Sequence, residues 1–151
     1  MKSNLILTIA MILVVTVSCG DNGTIQYQKE VISLDNITSG RPYSPAIKKA
    51  NMLFVSGQVA VNPETGQMIE GGIEDQTIQV LNNMKAIIGK AGFEMEDVVK
   101  CTVLLTDISF YGSMNSIYST YFPEDPPARK AFAVKDLPLG ALVEIDAVAI
   151  K

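Results

Sequence analysis

Two charged residues near the end of the chain have the types that acid recognition and water activation require. Arg129 is the second residue of the alternating segment 128–134, which follows two prolines. A guanidinium can meet a carboxylate with two parallel N–H donors in one plane, which a lysine cannot do. Glu144 lies in a second alternating segment, 142–150, where its carboxylate could accept a proton from water or hold that water by a hydrogen bond. Together the two residues have the chemistry that a site for a small carboxylic acid would need.

Each of these residues also has a plain structural interpretation. An arginine near the start of a strand is commonly a solvated edge residue or an ion-pair partner. Glu144 could then be the counter-charge of Arg129 or a surface position on its strand. Alternation along the strands predicts that Arg129 shares a face with Ala131 and Ala133, and that Glu144 shares a face with Asp146. The two strands alone leave these interpretations open.

The segments that must position these residues have clear strand and helix patterns. Strands are predicted at 29–34, 51–61, 97–107, 128–134 and 142–150. Apolar stripes at three- and four-residue spacing predict two helices, the first through Thr77, Leu81, Met84, Ile88 and Ala91, the second through Phe110, Met114, Ile117, Tyr118 and Tyr121. Gly92 ends the first helix as a C′ glycine, and Pro123 ends the second.

This order of elements predicts an α+β domain in which two helices pack on one face of a mixed sheet. A sheet that is covered on one face only needs a cover for the other. Oligomerisation is an economical way to supply it, although the pattern does not set the number of copies.

The N-terminal segment has the pattern of an export signal. An early lysine precedes an apolar run over residues 5–17, which is shorter than the roughly 20 residues of a membrane-spanning helix. Residues 16–19 resemble the lipobox of bacterial lipoproteins, with Cys19 as the lipidated residue. We therefore predict a lipoprotein-type signal peptide at 1–18, a tether at 19–28 and a domain at 29–151, in an exported protein that is periplasmic or membrane-anchored. A plain secretory signal and an uncleaved anchor are the alternatives.

Composition limits the partners and the chemistry. The chain has 16 acidic and 12 basic residues, a formal charge of −4 and no histidine, which argues against a nucleic-acid partner. Cys101 lies in an apolar run and is predicted to be a small buried residue. A nucleophilic thiolate there would need a neighbouring base, and the chain offers no histidine for that role.

Four blocks of sequence in a fixed order resemble the RidA family, also called the YjgF family. They are "PYSPA" at 42–46, "FVSGQVAVNPETG" at 54–66, "MNSIYSTYF" at 114–122, and "PARKAFAV" followed by "LPLGALVEID" from 127 to 146. The resemblance extends over roughly residues 32–150. It implies a chorismate mutase-like fold and a homotrimer with a central barrel and ligand clefts between subunits.

The resemblance also implies an activity and the residues that perform it. Family members hydrolyse 2-aminoacrylate, 2-iminopropionate and similar 2-imino acids to 2-keto acids and ammonia, and they need no metal or organic cofactor. By position, Arg129 would bind the carboxylate and Glu144 would position or activate water. The remaining site residues implied by the resemblance are Tyr43, Ser56, Gly57 and Asn115.

Two departures and two other functions qualify this interpretation. Lys130 and Arg41 replace small residues that are common in the family, and both add positive charge near the expected cleft. The first alternative function is a non-catalytic, exported binding module for small 2-keto or other carboxylic acids. The second, an RNA-cleaving translation inhibitor, is disfavoured by the acidic composition and the missing histidine.

Overall fold

The computed structural model describes residues 27–34 and 42–151. The predicted signal peptide, Cys19 and Arg41 lie outside the described residues. Within those two ranges, no helix is long and apolar enough to cross a membrane.

The described residues form one mixed sheet and two α-helices. The strands are β1 (Glu30–Ile32), β2 (Ala46–Lys49), β3 (Met52–Gln58), β4 (Val98–Leu105), β5 (Ala128–Ala133) and β6 (Val143–Ile150), and the helices are α1 (Ile73–Lys90) and α2 (Tyr111–Tyr121). The spatial order is β1-β2-β3-β6-β4-β5. All pairs are antiparallel except β4 with β5. The predicted α+β fold, with two helices on a mixed sheet, is confirmed.

The first helix follows its predicted stripe closely. Thr77, Leu81, Met84 and Ile88 are all buried at the three- and four-residue spacing of one helix face. Ala91 caps the C-terminus, and Gly92 adopts a φ of +82°, a left-handed conformation that glycine adopts without steric cost. Local sequence therefore determines both the buried face and the end of this helix.

Strand β2 was not predicted, because two lysines in a short segment after a proline do not resemble a buried strand. Tertiary contacts supply the reason that it forms. The Lys48 ammonium donates a hydrogen bond to the carbonyl of Ala91, 3.1 Å away, and lies 5.6 Å from the ring centre of Phe93. Its charge thus stabilises the C-terminal end of α1, where carbonyl groups lack helical partners.

The core lies between the helices and one face of the sheet. Along β6, Val143, Ile145, Ala147 and Ala149 are buried, so Glu144 and Asp146 lie on the opposite face. Cys101 on β4 is fully buried and is a free thiol, and burial raises its pKa. The prediction that Cys101 is a small buried residue is confirmed.

The other face of the sheet carries apolar side chains that remain exposed. Val31, Ile47, Phe54 and Val148 form a row across β1, β2, β3 and β6. Within it, Val31 is 46% exposed and Phe54 is 44% exposed. Phe132 on β5 also lies on this face, because it pairs with Leu104, which in turn pairs with Glu144. We call this surface the open face of the sheet.

Candidate active site

Arg129 is held on the helix side of the sheet. It lies on the edge strand β5 opposite Cys101, whose side chain is buried under the helices. Its Nη2 donates one hydrogen bond of 2.7 Å to Asn115 Oδ1 and another of 3.2 Å to the hydroxyl of Tyr111. A guanidinium has five N–H donors. These two bonds use Nη2 alone, which leaves Nε and Nη1 as the donors available for an anion.

Two tyrosine rings complete the surroundings of the guanidinium. Its central carbon lies 4.5 Å from the ring centre of Tyr118 and 5.6 Å from that of Tyr111. Aromatic faces attract a cation at these distances. The pKa of Tyr111 is lowered, mainly by a hydrogen bond from Asn115 and to a smaller extent by the hydrogen bond and positive charge of Arg129. The arrangement fixes the direction of the guanidinium, and it shows that Arg129 is more than a solvated edge residue.

Tyr111 was not identified from the sequence, and Tyr118 was assigned only to the packing stripe of the helix. Tyr118 does pack in the core, with 5% of its surface exposed, but its ring also supports Arg129. With Asn115, these residues occupy positions 111, 115 and 118, which follow one helix face. This spacing of polar side chains along one helix face is the feature of the sequence that could have identified Tyr111 as a neighbour of Asn115.

Glu144 lies on the open face, against β3. A Cβ atom at Gly57 would overlap Glu144 Oε1, so the carboxyl group occupies space that only glycine leaves free. Partial burial, and after it the negative charge of Asp146, raise the pKa of Glu144 above its ordinary value. A carboxylate with a raised pKa is a better proton acceptor than an ordinary surface glutamate.

Ser56 is hydrogen-bonded to the loop that carries Tyr43. The Ser56 hydroxyl donates a 2.7 Å hydrogen bond to the carbonyl of Ser44, and its main-chain N–H donates a 3.0 Å bond to the carbonyl of Pro45. Beside it, the register of β3 against β6 shifts between Val55 and Gln58. Such an irregularity redirects side chains at the edge of a site. In this chain Ser56 therefore positions the Tyr43 loop.

One cavity of about 790 Å³ collects four of the predicted residues. Tyr43, Ser56, Gly57 and Glu144 all line it. Among the described residues that line the cavity, Glu144 is the only charged one, so the lining contains a carboxyl group but no lysine or arginine.

The six predicted residues thus form two groups on opposite faces of the sheet. Arg129 with Asn115 lies on the helix side, whereas the Glu144 side chain lies on the open face and lines the cavity with Tyr43, Ser56 and Gly57. The interpretation of Glu144 as the counter-charge of Arg129 is wrong, because the sheet separates them. The two groups of one chain therefore face away from each other across the sheet.

Comparison with known proteins identifies the family. Residues 34–151 match the family model described as Endoribonuclease L-PSP. The chain belongs to this family. It is the family to which RidA proteins belong, so the resemblance drawn from the four sequence blocks is confirmed.

The relatives that the chain resembles have both archaeal and animal sources. A RutC family protein of Pyrococcus horikoshii is 48% identical over 124 residues, which cover 82% of this chain and 98% of that protein. The 2-iminobutanoate/2-iminopropanoate deaminase of Mus musculus is 43% identical over 110 residues, covering 73% of this chain and 82% of the mouse protein.

A solved structure supports the same conclusion about the fold. RidA from an Antarctic bacterium, Psychrobacter sp., superimposes with a TM-score of 0.75 at 37% identity, covering 81% of this chain and 99% of that one.

Among residues 27–34 and 42–151, no three His, Cys, Asp or Glu side chains cluster in a way that could hold a metal ion.

Proposed function

We propose that this protein hydrolyses small 2-imino acids and their enamine tautomers to 2-keto acids and ammonia. The observation that carries the proposal is the oriented guanidinium of Arg129, held by Asn115 and two tyrosines with donors to spare. The relative from Mus musculus is named an imine deaminase, which supports the same reaction class.

Arg129 has the geometry to bind the substrate carboxylate. Its unused N–H groups lie in one plane and match two carboxylate oxygens. Holding the carboxylate also fixes the position of the imine carbon next to it, and positioning of this kind is a large part of catalysis. Tyr43 and Gly57 lie in the cavity where the rest of the substrate would rest.

Glu144 is suited to activate the attacking water. In the protonated imine, the carboxylate accepts a proton as the water oxygen bonds to the imine carbon, which forms a neutral carbinolamine. Glu144 then gives that proton to the amine nitrogen. The carbon–nitrogen bond breaks as the hydroxyl group loses its proton to Glu144, so ammonia leaves, the keto group forms, and Glu144 releases its proton to the ammonia or to water. An enamine first takes a proton on its terminal carbon to become the imine. Because the imine carbon is already electrophilic, the proposed reaction requires no cofactor.

A complete site then needs two copies of the chain. We propose the homotrimer implied by the family resemblance, with Arg129 of one copy facing the Glu144 cavity of the next. Exposed apolar residues on the open face, such as Phe54, support this assembly, because a contiguous apolar surface favours association. We expect Phe54→Glu to reduce the mass measured by light scattering from three chains to one.

The test of the function follows the decay of 2-iminopropionate generated in the cuvette. We expect the wild-type chain to accelerate the decay, and Arg129→Ala to lower kcat/KM about 10- to 100-fold, because hydrogen bonds to charged groups are worth about 1.5–3 kcal/mol. Arg129→Lys keeps the charge and should recover only part of the loss. Lys85→Ala removes an exposed charge from α1 and should behave like wild type.

Two other functions are outcomes of this experiment. If decay is not accelerated but pyruvate binds in a manner that depends on Arg129, the protein is the non-catalytic, exported module for small carboxylic acids. Cleavage of RNA, which the family description names, would require contact with phosphates. The formal charge of −4 and the missing histidine disfavour that activity.

We further propose that the chain is exported, with residues 1–18 as signal peptide and Cys19 as the lipidated residue. The support is the short apolar run followed by a lipobox-like ending. Fractionation of cells that produce the wild type and Cys19→Ala tests this. Loss of the membrane-bound fraction in the variant is expected, and an unchanged distribution would refute the lipid anchor.

A further inference from the structure

Leu139 combines three properties that rarely occur together. It lies in the turn before β6, its side chain is 70% exposed, and its backbone has a φ of 58° and a ψ of 18°. That conformation is left-handed and costs free energy in any residue with a Cβ atom. Gly140, the next residue, has a φ of 71°, which glycine adopts without steric cost because it has no Cβ atom.

Within one chain, neither packing nor turn geometry explains a leucine at this position. A side chain that is mostly exposed gains little from burial, so it does not offset the strained backbone. A glycine or an asparagine would adopt the same turn with less strain. Strained residues of this kind concentrate at functional sites, where the surrounding structure maintains them.

Leu139 also lines the cavity that contains Glu144, together with other apolar residues. The apolar part of the lining includes Leu34, Val59, Val61, Ile87, Pro138 and Leu139. The volume of about 790 Å³ equals the space of roughly 25 water molecules at about 30 Å³ each. A three-carbon imino acid would fill only a small part of this cavity.

We propose that Leu139 determines substrate specificity by contacting the side chain of a larger, apolar 2-imino acid, such as one derived from leucine or methionine. The proposal rests on the proposed function for the polar end of the cavity and extends it to the opposite, apolar end. The carboxylate and imine groups lie at Glu144 and at Arg129 of the neighbouring copy. The aliphatic side chain of the substrate then lies on Leu139.

The first experiment compares two imines on the purified full-length chain. An amino-acid oxidase generates one from alanine and the other from leucine, and kcat/KM is measured for each. We expect wild type to favour the leucine-derived imine, and Leu139→Gly to reduce that preference about tenfold, the effect of a few methylene contacts in a pocket. Ala50→Gly is the matched control, because Ala50 also has a positive φ, of 55°, but lies in the β2–β3 turn, at the end of the hairpin away from Ser56.

A second measurement does not depend on catalysis. Calorimetry measures the Kd of 4-methyl-2-oxopentanoate and the Kd of pyruvate. The ratio of these two values reports the preference for the larger side chain. Thermal unfolding and light scattering of Leu139→Gly are expected to show an equal or higher Tm and an unchanged mass, because the substitution relieves backbone strain. If the glycine variant does not fold, Leu139→Asn, which tolerates the left-handed conformation, replaces it.

The outcomes distinguish this inference from the proposed function. If neither imine is hydrolysed but the keto-acid preference exists and depends on Leu139, the proposed function fails and the specificity role stands. If wild type favours the three-carbon acid, or Leu139→Gly weakens both ligands equally, the specificity role of Leu139 is refuted while the deaminase function remains.

Discussion

Placement of Arg129 and Glu144 on opposite faces of one sheet predicts that two inactive variants will restore each other. Arg129→Ala lacks the proposed carboxylate-binding group, and Glu144→Gln lacks the proposed proton acceptor. An assembly made of one variant has no complete site, because every copy in it lacks the same residue. In a mixed assembly, however, an intact Arg129 from one variant can face an intact Glu144 from the other.

The size of the restoration follows from counting interfaces. A closed ring of three chains that contains both variants has one interface of about three at which intact Arg129 faces intact Glu144, whichever variant is present twice. We expect roughly a third of wild-type kcat per chain, with KM close to that of wild type, because each restored site is complete.

The assay requires proof that mixed assemblies form. The two variants carry different affinity tags, are unfolded and refolded together, and are purified through both tags in sequence before imine decay is measured. Separately refolded variants mixed afterwards serve as the control and should stay inactive. If doubly tagged assemblies show no more activity than either variant alone, Arg129 and Glu144 do not meet across an interface, and the two-copy site is refuted.

Three further predictions concern single positions. Gly57→Ala should displace the Glu144 carboxyl group that overlaps the added Cβ atom, and lower kcat about 100-fold, the cost of misplacing a catalytic group by about 1 Å. Asp146→Asn should lower the raised pKa of Glu144, so activity, which needs the ionised carboxylate, should persist to lower pH in a pH profile of kcat/KM. Gln76→Leu should lower the free energy of unfolding by about 1–3 kcal/mol in urea, because its buried Oε1 accepts the main-chain N–H that precedes β6.

Matched controls make these predictions specific. Gly89→Ala places a Cβ atom in open space on α1 and should leave kcat unchanged. If Gly57→Ala still lowers activity when Glu144 is already glutamine, its effect does not pass through that carboxyl group. If the acidic limb of the pH profile is the same in Asp146→Asn as in wild type, the charge of Asp146 does not raise the pKa of Glu144, and the prediction is wrong. Gln67→Leu, at an exposed turn, should not change stability, and a similar loss there would contradict the role of burial for Gln76.

The sequence by itself determined most elements and their buried faces. Apolar spacing predicted α1 with its glycine end, and alternation predicted that Glu144 and Asp146 share one face of β6. These are local properties, because a period of 3.6 or 2 residues repeats within one element regardless of its neighbours. Strand β2 was missed for the same reason, since Lys48 is stabilised by Ala91 and Phe93, which are more than forty residues away in sequence.

Only the tertiary structure decided how the predicted site residues are grouped. Alternation within β5 places Arg129 with Ala131, and alternation within β6 places Glu144 with Asp146, but it does not say which of these pairs faces the helices. That depends on the register between strands, where Arg129 lies opposite Cys101 and Leu104 lies opposite Glu144. A shift of one residue in either pairing would have put both charges on one face. Register is set by long-range packing of the core, and for this reason the placement of Arg129 and Glu144 on opposite faces of the sheet could not be derived from the strand patterns alone.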